Sequence, residues 1–187
     1  MKRSRLLPFL AHMLTAKMAC TVFTGGPDYP EQTIPVSIEA VDSLKQQIEK
    51  AVTDGAQSGV VYLFINETQI TSYLAFKLQA DADPLFTDPQ VFLRDGQMRI
   101  YGKTKQGMFT ANIGIVLGVG VDELGKPKLQ LVSADFGPLP LPSGLNDAIT
   151  AIIEEAYTGS LGPVATGFRI EMILIADGVM AMVGRIR

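Results

Sequence analysis

The sequence predicts an α+β fold in which a long antiparallel β-meander presents one apolar face to amphipathic helices. Strict alternation is the first sign. Phe109, Ala111, Ile113, Ile115, Leu117, Val119 and Val121 interleave with Met108, Thr110, Asn112, Gly114, Val116, Gly118 and Gly120, a period of two that belongs to a strand with one greasy side. Two stretches with apolar residues at helical spacing flank this region, at 37–54 and 144–157. Two Asp-Gly pairs, Asp95-Gly96 and Asp177-Gly178, sit between apolar runs and supply the positive φ values of tight hairpin turns.

Residues 1–20 read as a leader. Met1-Lys-Arg-Ser-Arg5 is basic, 6–16 is mostly apolar, and Ala19-Cys20 follows. This is the order of a secretory signal with lipoprotein-type cleavage before a cysteine. Pro8 and His12 interrupt the apolar run, and Lys17 stands where a lipobox takes Leu or Val. Cys20 is the expected lipidation site. Residues 21–35 carry Gly25, Gly26, Pro27, Pro30 and Pro35 among polar residues, a composition expected to form a flexible tether. Residues 36–187 then make a single domain.

Within that domain Ser37 is placed to cap a first helix, whose stripe is Val41, Leu44, Ile48, Ala51 and Val52. Asp54-Gly55 is expected to end it, with 55–59 as a loop. The continuous apolar run 60–65 reads as a strand buried on both faces. Asn66 with Gln69 forms a capping box that opens a helix carrying Ile70, Tyr73, Leu74, Lys77 and Leu78 at spacings of three and four. The same box accounts for the glycosylation-like Asn66-Glu67-Thr68. Residues 80–89 read as a solvated loop, since Asp81, Asp83 and Asp88 lack the ligand spacing and terminal Glu of a calcium loop.

The hairpin 91–104 turns at Asp95-Gly96, 105–107 leads into the strand 108–121, and 128–136 returns. Residues 137–142 contain prolines that cannot donate to a ladder, so they end the sheet and cross over. Leu145, Ala148, Ile149, Ile152, Ile153 and Ala156 give the 144–157 helix a wide apolar face, with Ser143 or Asn146 near its cap. A hairpin at 168–186 closes the chain.

Composition limits the chemistry. The chain has 187 residues, a net charge of −3 and 19% charged residues, with a mean hydropathy of +0.23; it offers no basic footprint for nucleic acid. One cysteine and one histidine, His12, leave no Ser-His-Asp or Cys-His set and no thiol or imidazole cluster for zinc in the domain. Gly118-Val-Gly120 precedes a turn and is followed by no Gly-Lys-Ser/Thr, so it is not a phosphate loop. The acidic pairs Asp122/Glu123 and Glu154/Glu155 are sequence neighbours, and neighbouring residues on a helix do not face one another. No metal, no cofactor and no enzymatic activity are therefore expected; the alternative is a hydrolase using carboxylates distant in sequence, such as Glu171 with another acid.

Four runs carry a family resemblance: Leu63-Phe-Ile-Asn-Glu-Thr-Gln-Ile-Thr-Ser-Tyr-Leu-Ala-Phe-Lys-Leu78, Asp88-Pro-Gln-Val-Phe-Leu-Arg-Asp-Gly96, Phe136-Gly-Pro-Leu-Pro-Leu-Pro142 and Ile175-Ala-Asp-Gly178. They resemble segments of bacterial exported lipoproteins of the YpmS-like and LmeA-like groups, whose folds are related to the tubular lipid-binding (TULIP) superfamily. The resemblance implies a curved half-barrel around one or two helices, an apolar groove able to hold acyl chains, and an extracytoplasmic place in a bacterial cell envelope. The expected partners are a lipid or apolar small molecule in the groove and a membrane reached through the N-terminal anchor. From the periodicities, the candidate groove residues are Leu74, Leu78, Phe109, Ile113, Ile115, Leu117, Ile149, Ile152 and Ile153. The alternative is a cell-envelope interaction module with a filled core and no ligand.

Overall fold

A computed structural model describes residues 21–141, 143–159 and 167–186, with the side chains of residues 146, 152–154, 156 and 157 outside the description. The elements in chain order are β1 (Val22–Phe23), α1 (Ile38–Ser58), β2 (Val60–Asn66), α2 (Glu67–Ala80), β3 (Thr87–Arg94), β4 (Gln97–Gln106), β5 (Phe109–Val121), β6 (Pro127–Asp135), α3 (Leu145–Thr158), β7 (Phe168–Ala176) and β8 (Val179–Ile186). The chain is α+β, and its antiparallel-rich sheet structure curls into a half-barrel. Strands β3 to β6 form the expected meander, and the short β1 adds in parallel to the edge of β5 beside Phe109 and Thr110. Strands β2, β8 and β7 form a second sheet, in that order.

Asp95 and Gly96 have φ of 55° and 73°, and Asp177 and Gly178 have 48° and 83°, so both turns take the left-handed conformations that Asp-Gly supplies. The second turn also joins the sheets. The Gly178 N–H donates to the Leu93 carbonyl at 3.0 Å, while the Ile170 N–H donates to the Gly125 carbonyl at 3.2 Å.

The helices follow their local signals, with exceptions that packing explains. Ser37 caps α1 by accepting from the Ala40 N–H at 3.1 Å. The helix does not stop at Gly55 but runs to Ser58, because Gly59 takes the left-handed C-cap position at φ 76°. Gly55 is instead buried inside α1, where a Cβ would lie 2.4 Å from Val61 Cγ2. Both halves of the Asn66/Gln69 capping box form at α2. At α3 the cap is Gly144, next to Ser143, at φ 89° and with no side-chain hydrogen bond.

Strand β2 is buried on one face only. Val61, Leu63 and Ile65 point inward, whereas Tyr62 and Phe64 are 60% and 53% exposed. The 80–89 loop is shorter than expected, since β3 begins at Thr87 and its register shifts between Thr87 and Gln90 around Asp88 (φ 51°).

Residues 21–35 do not form a free tether. The Thr24 N–H donates to the Thr110 carbonyl at 2.8 Å and the Asn112 N–H donates to the Gly25 carbonyl at 3.0 Å. Farther on, Tyr29 Oη donates to the Asp88 carbonyl at 2.7 Å. Composition suggested a loose segment, but the β5 edge beyond the end of β6 offers unpaired backbone groups, and this segment pairs with them. The leader 1–20 and Cys20 lie outside the described residues.

Candidate apolar ligand site

Two apolar clusters meet in the interior. One gathers Leu44 and Ala51 of α1 with Val61, Leu63 and Ile65 of β2 and the inner residues of β7 and β8. The other gathers Leu74 and Leu78 of α2 with Val91, Ile100, Ile113, Ile115 and Leu117 of the meander. Ile70 and Met98 pack against both. Between the clusters lies a cavity of about 500 Å³, within the size range of real ligand sites.

Every layer of the fold contributes to its wall. From α1 come Val41, Leu44, Ile48, Ala51 and Val52, the whole stripe marked by helical spacing. The small sheet contributes Val61, Leu63, Ile65, Phe168 and Ile170, and the meander contributes Val91, Ile100, Ile115, Leu117 and Val119. Met98, Met180 and Met182 also line it; thioethers on unbranched chains adapt readily to an irregular guest. Among the described residues no buried side-chain polar atom lacks a hydrogen-bond partner, so no polar group inside calls for a specific polar ligand.

Of the residues expected to line a groove, Leu74, Ile115, Leu117 and Ile149 reach this cavity. Leu78 and Ile113 are buried in the adjoining cluster and do not line it. Phe109 shares the parity of Ile113 but lies at the strand end beside β1, 45% exposed. Ile152 and Ile153 lie outside the described side chains. The α1 stripe, the inward residues of β2 and the three methionines were not foreseen as lining. Alternation within 60–65 was the available signal for β2, masked there by aromatic residues on the outer face.

Among the described residues three charged side chains line the cavity. Lys45, Lys77 and Glu155 line the cavity from α1, α2 and α3. Lys77 Nζ donates to Glu155 Oε1 across the gap between α2 and α3. The hydrogen bond to Glu155 holds the Lys77 ammonium above the ordinary lysine value, against a smaller opposing effect of burial. Tyr73 lies beside them, its phenol raised mainly by burial. Lys77 interrupts the apolar spacing of α2, the one sequence sign that this position differs. Among the described residues no group of acidic, histidine or cysteine side chains is arranged to hold a metal ion.

No family model matches this chain, and no curated protein matches it. A crystal structure of a lipopolysaccharide binding protein is similar at 12% sequence identity with a TM-score of 0.34, over 68% of this chain and 50% of that one. The chain thus spans about half the length of that protein.

Proposed function

We propose that this protein is a non-enzymatic binding protein for a lipid or other apolar ligand, held between its sheets and helices. The observation that carries the reading is the cavity of about 500 Å³ with apolar walls from both sheets and all three helices. Transferring a hydrocarbon tail into such a space gains about 0.8 kcal/mol per methylene, which needs no polar anchor. A filled interior would have been the mark of a plain scaffold.

The protein works outside the cytoplasm, in a cell envelope, attached through its leader as a lipoprotein of the YpmS-like or LmeA-like type. Support for this comes from the basic-apolar-Cys20 order of residues 1–20 and from the surface where that segment joins. Val22, Phe23, Met108 and Phe109 are exposed together at the β1 end of β5, a greasy tip suited to lie against lipid. Among the described residues no helix is long and apolar enough to cross a membrane.

A second reading, an interaction module, draws on one observation. Tyr62, Phe64, Met172 and Leu174 are exposed on the outer face of the small sheet, brought side by side through β8. Organic extraction of the purified protein followed by mass spectrometry separates the two. Recovery of a stoichiometric lipid supports the binding protein; an empty extract, with no uptake of added lipid, leaves the module.

A further inference from the structure

Among the described residues the cavity wall is apolar except for Tyr73 and a few charged side chains that reach solvent. Its charged lining residues are Lys45, Lys77 and Glu155, whose side chains are 53%, 32% and 57% exposed. They therefore sit where the helices reach solvent. Lys77 is paired with Glu155 from across the mouth. Among the described residues Lys45 is paired with Asp42 on its own helix, at 3.7 Å, a loose surface pair of the kind that contributes little. Among the described side chains that line the cavity, cations thus outnumber anions two to one, and the Lys77–Glu155 pair joins two different helices.

The volume limits the guest. An apolar cavity of about 150 Å³ takes one benzene, so about 500 Å³ corresponds to roughly three such rings, about twenty carbons. That matches one long acyl chain. We infer, on the footing of the apolar-ligand reading above, that the ligand is a single-chain amphiphile with an anionic head, carboxylate or phosphate. Its tail fills the cavity, and its head takes the place of Glu155 on Lys77, with Lys45 as the second cation at the mouth. Glu155 is then an internal substitute for the head group. The tail supplies affinity and the mouth supplies selection. A neutral head leaves the Lys77–Glu155 pair intact and gains nothing from it, and a cationic head meets like charge.

The test is calorimetric titration of the delipidated full chain with palmitate, hexadecyl phosphate, hexadecanol and hexadecyltrimethylammonium, each below its aggregation threshold. The two anions are expected to bind about five- to tenfold tighter than hexadecanol, and the ammonium weaker than it. Whichever anion binds tighter identifies the head as carboxylate or phosphate. Lys77→Gln should erase the preference for anions, Lys77→Arg should restore it, and Glu155→Gln should strengthen anion binding about threefold.

Equal binding of palmitate and hexadecanol by the unaltered protein overturns the charged mouth but leaves the apolar cavity reading standing. Failure of hexadecanol and palmitate alike removes both. Vesicles of dioleoyl phosphatidylglycerol provide the last arm: stoichiometric extraction of that two-chain lipid, in preference to palmitate, overturns the single-chain assignment.

Discussion

Thr71 Oγ1 accepts the backbone N–H of Val91 at 3.0 Å, and neither residue has any solvent exposure. Val91 lies on β3, the edge of the meander, where backbone donors have no further strand to pair with. Helix α2 supplies the missing acceptors. Thr71 takes the Val91 N–H, and Glu67 Oε1 takes the Leu93 N–H at 2.7 Å. The same Glu67 carboxylate pairs with Arg94. A helix thus closes the sheet edge with side chains. Thr71→Val keeps the shape and removes the acceptor, leaving a buried amide unpaired. It is expected to destabilise the protein by about 1–3 kcal/mol, read from urea unfolding, whereas Thr71→Ser keeps the oxygen and should retain most of that stability. Equal losses in the two variants would show that the methyl group, and not the hydrogen bond, matters.

Gly55 gives a second expectation, opposite in sign to helix propensity. Replacing an exposed interior glycine by alanine ordinarily gains about 1 kcal/mol in a helix. Here the new Cβ would meet Val61 Cγ2 at 2.4 Å and the Val60 carbonyl oxygen at 3.3 Å. The Val60 oxygen is backbone and cannot swing aside as the end of a flexible side chain can. Gly55→Ala should therefore lower stability by about 1–3 kcal/mol. A thermal midpoint equal to or above that of the unaltered protein would mean that α1 shifts on β2 at little cost.

These two sites show where the sequence was readable. The stripes of α1, the capping box at Asn66, both Asp-Gly hairpins and the inward face of β5 follow from local rules, because each is decided within a few residues. Gly55 misleads for the opposite reason. Whether a glycine ends a helix or lets a strand approach depends on Val61, whose place is set by the tertiary structure. The 21–35 segment misleads likewise, since its order comes from the β5 edge and not from its own composition. For the cavity, period and spacing mark which residues point inward; they do not distinguish Leu117, which lines the space, from Ile113, which packs behind it.

Ala51 provides a test of occupancy. It lies on α1, is 9% exposed and lines the cavity. Ala51→Phe puts a ring into the space a tail would use. Filling an existing void commonly raises stability by about 0.5–2 kcal/mol, so the expected result is an unchanged or higher thermal midpoint together with loss of bound lipid in organic extracts. Undiminished lipid in this variant would place the ligand elsewhere. A fall in both stability and binding would point to overpacking, and Ala51→Leu, a smaller addition, should then recover the stability while still reducing binding.

The last expectation concerns pH and follows from Lys77. Its hydrogen bond to Glu155 raises the ammonium above the ordinary lysine value in the folded protein, whereas the unfolded chain has no such partner. A raised basic group contributes its stability below the unfolded value, and that contribution disappears as pH climbs through the folded one. The pair should therefore count fully at neutral pH and fade only in strongly alkaline solution, beyond the normal lysine range. Both partners are partly exposed, so its worth is under about 1 kcal/mol. Unfolding of the unaltered protein and of Lys77→Met, compared across pH, should show a small constant gap from neutral to mildly alkaline conditions that closes above the lysine range. A gap that closes near neutrality would mean that the ammonium loses its proton early, as burial without a partner would cause, and that Glu155 does not hold it in solution.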